Sequence, residues 1–318
     1  MLNGKRNNSA CYSIKKSLLL YFALILFILF YRTFTVFVTN NVSYADEKNS
    51  FNYCIKDYAS EATNTTTAGP RISSSPTPYP SLAKQDNLIE EAVQKNDYCL
   101  SVPVLIYHHI QPQPVAQELG QTALSVDNGI FDQQMAYLSS NGYITLFAED
   151  LINALRNKTG LPPKSVLITI DDGYKDIYTY AYPILKKYNI KANLMIPTGL
   201  MENTGFLLWS DIKEMQGSGL VNMYNHTWSH SSLGVQSREK IESEIIMANI
   251  QLQDNLGKNV TVFTYPYGSQ SNLAVSILIN NGFTGAFSTN PGFLQCNSFR
   301  MGLHRNRVGN SPLSAYGL

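Results

Sequence analysis

A chain of 318 residues, 44% hydrophobic and 15% charged, is long enough for one large domain with a sizeable core or for two small ones. A formal net charge of +1 gives no whole-chain argument for a nucleic-acid partner or a strongly acidic one. The four cysteines, Cys11, Cys54, Cys99 and Cys296, form no CxxC pair, which argues against a cysteine zinc site.

The chain opens on Lys5, Arg6, Lys15 and Lys16, followed by an uncharged apolar run over 17–31 that continues past Arg32 to Val38. The 21 residues of 18–38 suffice to cross a hydrocarbon layer of about 30 Å as a helix. The basic leader predicts an N terminus held inside. The expectation is therefore a cell-membrane, single-pass protein with an extracellular remainder. Cleavage near Ala45, at the small-x-small triplet Ser43-Tyr44-Ala45, is the alternative and would give a secreted chain. Either way Cys54, Cys99 and Cys296 would lie where a disulfide persists, and the sequence does not choose the pair. Residues 46–98 are polar, with Thr63, Thr65, Thr66, Thr67 and a Ser/Pro-rich stretch at 73–80. Such a composition reads as a flexible, disordered linker. The expected organisation is 1–45 leader and membrane segment, 46–98 linker, and 99–318 one folded domain.

From Val102 onward, short apolar runs alternate with helical patterns. Strands are expected at 104–107, 143–147, 165–170, 192–196, 221–224, 260–264 and 283–287. Helices are expected at 131–140, 148–156, 177–188 with a kink at Pro183, 210–215 capped by Ser210, 237–256 ended by Gly257, and 272–279. This alternation predicts an α/β fold of parallel βαβ units, and their number favours a barrel over an open sheet. Barrel chemistry gathers at the carboxyl ends of strands.

Four predicted strand ends deliver polar sets. The run at 165–170 passes directly into Asp171-Asp172-Gly173. Two adjacent carboxylates at the end of a buried strand are costly unless something binds them, and neighbouring side chains can take different tasks. The strand at 221–224 leads into Asn225-His226-Thr227-Trp228-Ser229-His230. On one helical turn, His226 and His230 would share a face, and with one Asp they form a set suited to a divalent ion with open positions. The first strand ends in Tyr107-His108-His109, of which one imidazole would enter the barrel mouth as a proton donor. The sixth ends in Thr264-Tyr265-Pro266-Tyr267-Gly268, where the Tyr267 N–H could face a developing oxyanion.

These residues resemble the polysaccharide deacetylases of carbohydrate esterase family 4, the NodB homology domain, over roughly 102–308. Thr169-Ile170-Asp171-Asp172-Gly173 is similar to the first family motif, T-[FY]-D-D-G, and His226-Thr227-Trp228-Ser229-His230 to the second, H-[ST]-x-x-H. Pro103-Val104-Leu105-Ile106-Tyr107-His108 and Tyr265-Pro266-Tyr267-Gly268 resemble the IcaB and PgaB branch, which acts on poly-β-1,6-N-acetylglucosamine. The resemblance implies a distorted (β/α) barrel of about seven parallel strands. It implies a divalent metal, usually zinc, on Asp172, His226 and His230, with Asp171 as general base. It also implies His108 as general acid, with His304 as its rival, and Tyr267 at the oxyanion. The partner it implies is an N-acetylated polysaccharide, with peptidoglycan, chitin oligomers or a non-catalytic glycan-binding role as alternatives. The sequence departs from the family pattern in two places. No Arg precedes Pro266, leaving Arg305 or Arg307 to orient Asp171, and no Asp-x-x-Asp-Trp motif occurs. Because the chain runs only ten residues past Val308, a second, glycosidase domain is not expected.

Overall fold

The computed structural model describes residues 97–318. The expected leader, the apolar span, the cleavage site near Ala45, and the linker as far as residue 96 lie outside the described residues.

In chain order the first elements are β1 (Cys99–Ser101), β2 (Val104–Tyr107), β3 (His109–Ile110), α1 (Gln113–Glu118), β4 (Ser125–Val126) and α2 (Asn128–Ser140). There follow β5 (Ile144–Thr145), α3 (Ala148–Asn157), β6 (Ser165–Asp171), α4 (Tyr182–Tyr188), β7 (Ala192–Ile196) and α5 (Trp209–Gly217). The chain continues through β8 (Val221–Asn225), α6 (Arg238–Leu256), β9 (Val262–Thr264), α7 (Asn272–Asn280), β10 (Gly285–Phe287), β11 (Leu294–Cys296) and β12 (Asn306–Arg307).

Seven of these strands pair in parallel in the order β10-β9-β8-β7-β6-β2-β12, and β5 adds to the first half of β6. A parallel bridge from Phe287 to Leu303, just ahead of β12, ties the two edges together. The result is a half-barrel of parallel strands, consistent with the distorted (β/α) barrel expected from the sequence. Its central strand, β6, is buried at every position, as a parallel strand covered on both faces should be. Where β5 gives way to β7 along β6, Asn193 fills the break. Its Nδ2 donates to the carbonyls of Leu146 and Ile168, and its Oδ1 accepts from the Ala148 N–H. A buried amide is tolerated there because all its partners are backbone groups left over by the divided ladder.

The helices start and stop for local reasons. Asp127 caps α2 by accepting from the N–H groups of Gly129 and Ile130, so that helix begins earlier than its apolar pattern suggests. Ser210 does not cap α5; that helix starts at Trp209, and Asp211 instead accepts from the Leu208 N–H. Before Pro183 the chain makes a π turn over Ile177–Ala181, because proline lacks the N–H that a regular helix needs. Ser237 caps α6 and Gly257, at φ 69°, ends it. Cys99 and Cys296 form a disulfide that joins β1 to its antiparallel partner β11.

The localisation expected from the sequence is corrected here. No helix among the described residues is long and apolar enough to cross a membrane, and this finding overturns the single-pass assignment. The longest candidate, α6 with 19 residues, carries Arg238, Glu239, Lys240, Glu242, Glu244 and Asp254, a load that a lipid interior disfavours.

Candidate active site

The strand ends predicted to carry the chemistry converge. Asp171, the last residue of β6, is 3% exposed, and Arg305 just before β12 is fully buried. Arg305 Nη1 and Nη2 donate to the two Asp171 carboxylate oxygens at 2.7 and 2.8 Å. Arg305 also donates to Thr169 Oγ1 at 3.0 Å and, through Nε, to the Ser288 carbonyl at 2.9 Å. Burial raises the Asp171 carboxyl, but the Arg305 charge and its hydrogen bonds outweigh that, leaving it below the ordinary aspartate range. Arg305 therefore takes the place of the arginine missing before Pro266. Arg307 instead donates to the Ala123 carbonyl.

Asp172 turns the other way. Its φ of 72° is left-handed, and its N–H donates to the Met195 carbonyl of β7. Gly173 follows at φ 70°, where a Cβ would come within 2.8 Å of Met201, so the sharp exit at this point requires glycine. Asp172 Oδ1 lies 3.5 Å from His226 Nε2 and 3.1 Å from His230 Nε2. His226 Nδ1 is 2.8 Å from the Thr264 carbonyl, which can only accept. The proton is therefore on Nδ1, and a bare Nε2 lone pair faces Asp172. Asp172 Oδ1 is buried with no hydrogen-bond donor aimed at it. Facing lone pairs of this kind repel unless a cation lies between them. Ligand atoms sharing one ion at about 2.1 Å would lie about 3.0–3.4 Å apart, close to the separations found, so the residues fit a divalent metal. Burial raises the Asp172 carboxyl, and hydrogen bonds and charge from protonated His226 and His230 would more than offset it, taking it well below the usual range.

The segment linking the two histidines is not the helical turn expected from the HxxxH spacing. Thr227 and His230 adopt left-handed φ of 68° and 62°, so both imidazoles reach Asp172 from an irregular loop. That loop is shaped from α6. Glu244, 1% exposed, accepts from the N–H groups of Trp228 and Ser229 and from Ser229 Oγ, and it pairs with Lys240. Asn225 adds its Oδ1 to the Thr227 N–H and donates to Asn249 and to the Ile245 carbonyl.

The two adjacent histidines separate as strand alternation predicts. His109 is buried against Asp176, with Nδ1 2.5 Å from its carboxylate, and stacks on Tyr174. The His108 imidazole is lowered from its ordinary value: burial lowers it, and the Asp171 and Asp172 charges act in the opposite sense. His304 is elsewhere, stacked on Phe299 with its backbone N–H bound by Gln295. Tyr267 has φ 60° and a largely exposed ring that meets His230 edge-on, with its hydroxyl 3.1 Å from His230 Nδ1. Tyr174, which sequence reasoning passed over, also reaches the site. Burial and then the Asp172 charge raise its phenol far above the ordinary value. Its only sequence signal is its place directly after Asp171-Asp172-Gly173.

With this geometry described, the comparisons with known proteins name a family. The family profile described as polysaccharide deacetylase matches residues 158–286. The chain carries a polysaccharide deacetylase domain. It is accordingly a hydrolase acting on amide C–N bonds. The matched stretch holds Asp171, Asp172, His226, His230 and Tyr267 but neither His108 nor Arg305. The chain is similar to Streptococcus pyogenes deacetylase PplD, solved with acetate, at 29% identity and TM-score 0.63, over 67% of this chain and 94% of that one. It is similar to IcaB from Ammonifex degensii at 26% identity and TM-score 0.58, over 68% and 94%. Among curated relatives, the poly-beta-1,6-N-acetyl-D-glucosamine N-deacetylase of Staphylococcus aureus is 29% identical over 177 residues, 52% of this chain. The chain spans 61% of that relative's length.

Proposed function

We propose that this deacetylase removes N-acetyl groups from poly-β-1,6-linked N-acetylglucosamine, that its metal is zinc, and that its catalytic domain runs over 99–318. The observation that carries the metal dependence is the buried meeting of Asp172, His226 and His230 beside an aspartate held ionised by Arg305. The substrate rests on the printed activity of the Staphylococcus aureus relative.

In this reading Asp172, His226 and His230 would hold the metal. When bound, it would polarise the acetyl carbonyl and acidify a water. Asp171 takes the proton as that water attacks the carbonyl carbon, and the Arg305 fork keeps its carboxylate ionised and oriented. The Tyr267 N–H faces the oxygen that gains charge. His108 gives a proton to the sugar nitrogen as the C–N bond breaks, so acetate and a free amine leave. His108 is preferred over His304 as acid because only His108 is coupled to both aspartates.

The test is acetate release from poly-N-acetylglucosamine by the full chain, with added zinc and after chelation. Zinc-dependent release supports the reading. Release only from peptidoglycan or chitin oligomers would keep the mechanism and discard the polymer. A protein that binds zinc and releases nothing would be a glycan-binding protein on the same fold.

A further inference from the structure

Arg305 does not hold itself in place. The segment 303–306 is gripped from outside by the chain between β10 and β11. Ser288 and Arg305 donate their N–H groups to the carbonyls of Leu303 and Asn290 at 2.9 Å each. Asn306 binds both backbone groups of Gly292, at 2.8 and 3.0 Å. Gln295, fully buried on β11, binds both backbone groups of His304. Its Oε1 accepts from the His304 N–H at 3.0 Å, and its Nε2 donates to the His304 carbonyl at 3.1 Å. The same Nε2 donates to the Val102 carbonyl at 3.2 Å, between β1 and β2. One residue further on, Cys296 is bonded covalently to Cys99.

We propose that Gln295 is a positioning residue for the deacetylation reaction: by fixing the His304 peptide groups, it aims Arg305 at Asp171, and the Cys99–Cys296 disulfide braces it. The inference rests on the proposed roles of Asp171 and Arg305. The physical case is one of economy in side-chain freedom. A long arginine can present its fork in one orientation only if its backbone is fixed. At 304 the backbone is fixed by a side chain, because β12 begins only at Asn306. Gln295 spans two neighbours at once, the 304 peptide and the peptide leading into β2, which ends just before His108. It thereby relates the base's partner to the proposed acid.

Two readouts test this on the full chain. The first needs no activity: the Arg305 Nε–H resonance, assigned by its loss in Arg305→Lys, is followed for solvent exchange. Gln295→Ala is expected to speed that exchange at least tenfold, and reduction of the disulfide to speed it less. The second is kinetic: kcat for acetate release should fall about tenfold in Gln295→Ala with KM and zinc affinity unchanged. The same substitution should add nothing in an Arg305→Lys background. Should Gln295→Ala fail to fold, Gln295→Met, which keeps the side-chain length but makes neither bond to His304, is expected to show the same effect in both readouts. Unaltered Arg305 exchange in the folded variants would overturn the proposal, as would additive loss in the double variant. A wild-type chain that releases no acetate would sink the functional reading alone, and the exchange measurement would still decide this one.

Discussion

The two ends of the barrel handle buried polarity in opposite ways. Near the amino ends of the strands, Glu149, Asn222, Tyr224 and Lys258 form a closed set. Tyr224 donates to Glu149, Asn222 donates to both, and Lys258 donates to Asn222. At the carboxyl ends, His226 and His230 Nε2 lie 3.5 and 3.1 Å from Asp172 Oδ1, which has no hydrogen-bond partner among the described residues. Asp172, Thr227, His230 and Tyr267 all take left-handed φ, at a cost of roughly 1–3 kcal/mol each. One end satisfies itself, while the other is organised around something the chain does not supply.

That contrast can be broken by substitution. The largest effect is expected for Asp171→Asn, which should lower acetate release about 10²–10⁴-fold, the range for a lost general base, and, by leaving the buried Arg305 charge without its partner, should also cost about 3–5 kcal/mol of stability. Loss of less than tenfold would remove Asp171 from that role. Arg305→Met leaves the Asp171 charge buried and unpaired and should cost about 3–5 kcal/mol of stability, measured by urea unfolding. The pH dependence carries a definite sign. Asp171 has a lowered folded pKa, so its contribution is present above the ordinary aspartate value and is lost as pH falls through the folded value. Unfolding of the wild type should therefore steepen on the acid side, and Arg305→Met should flatten that dependence.

Glu244→Ala should cost about 1–3 kcal/mol by stranding the Trp228 and Ser229 N–H groups. It should also weaken zinc binding about 10–100-fold, as loss of a supporting residue does. Zinc titration that shows no change would mean the histidine loop holds its shape without α6. The smallest effect belongs to the other end. Tyr224→Phe should cost about 0.5–1.5 kcal/mol and leave kcat and KM alone.

How far the sequence could be read differs between these same regions. The carboxylates and histidines were legible because each follows a short apolar strand, and such strands end at one rim. Arg305 could be named only as one of two candidates, since its choice depends on the bridge from Phe287 to Leu303, across the barrel. Glu244 was hidden because it lies on the apolar face of α6 between Ile241 and Ile245 and reads as an interruption of the core. Strand lengths were overestimated where neighbours claimed the backbone. Tyr143 gives its N–H to Leu138 at the end of α2, and the Val260 carbonyl accepts from Asn249, so neither extends its ladder. The helical HxxxH failed because pattern spacing says nothing of left-handed residues within it.

The disulfide between Cys99 and Cys296 closes a loop of 197 residues in sequence separation. In the chain-entropy account such a closure stabilises by about 5 kcal/mol, and its mechanical meaning is as plain. A pull on the chain at residue 97 reaches Cys99 before it reaches β2. The load passes through a covalent bond into β11 and is shared with the far side of the domain. Tension from whatever precedes the domain is thus divided between β2 and β11 instead of falling on one strand, much as a cleat shares the load of a rope.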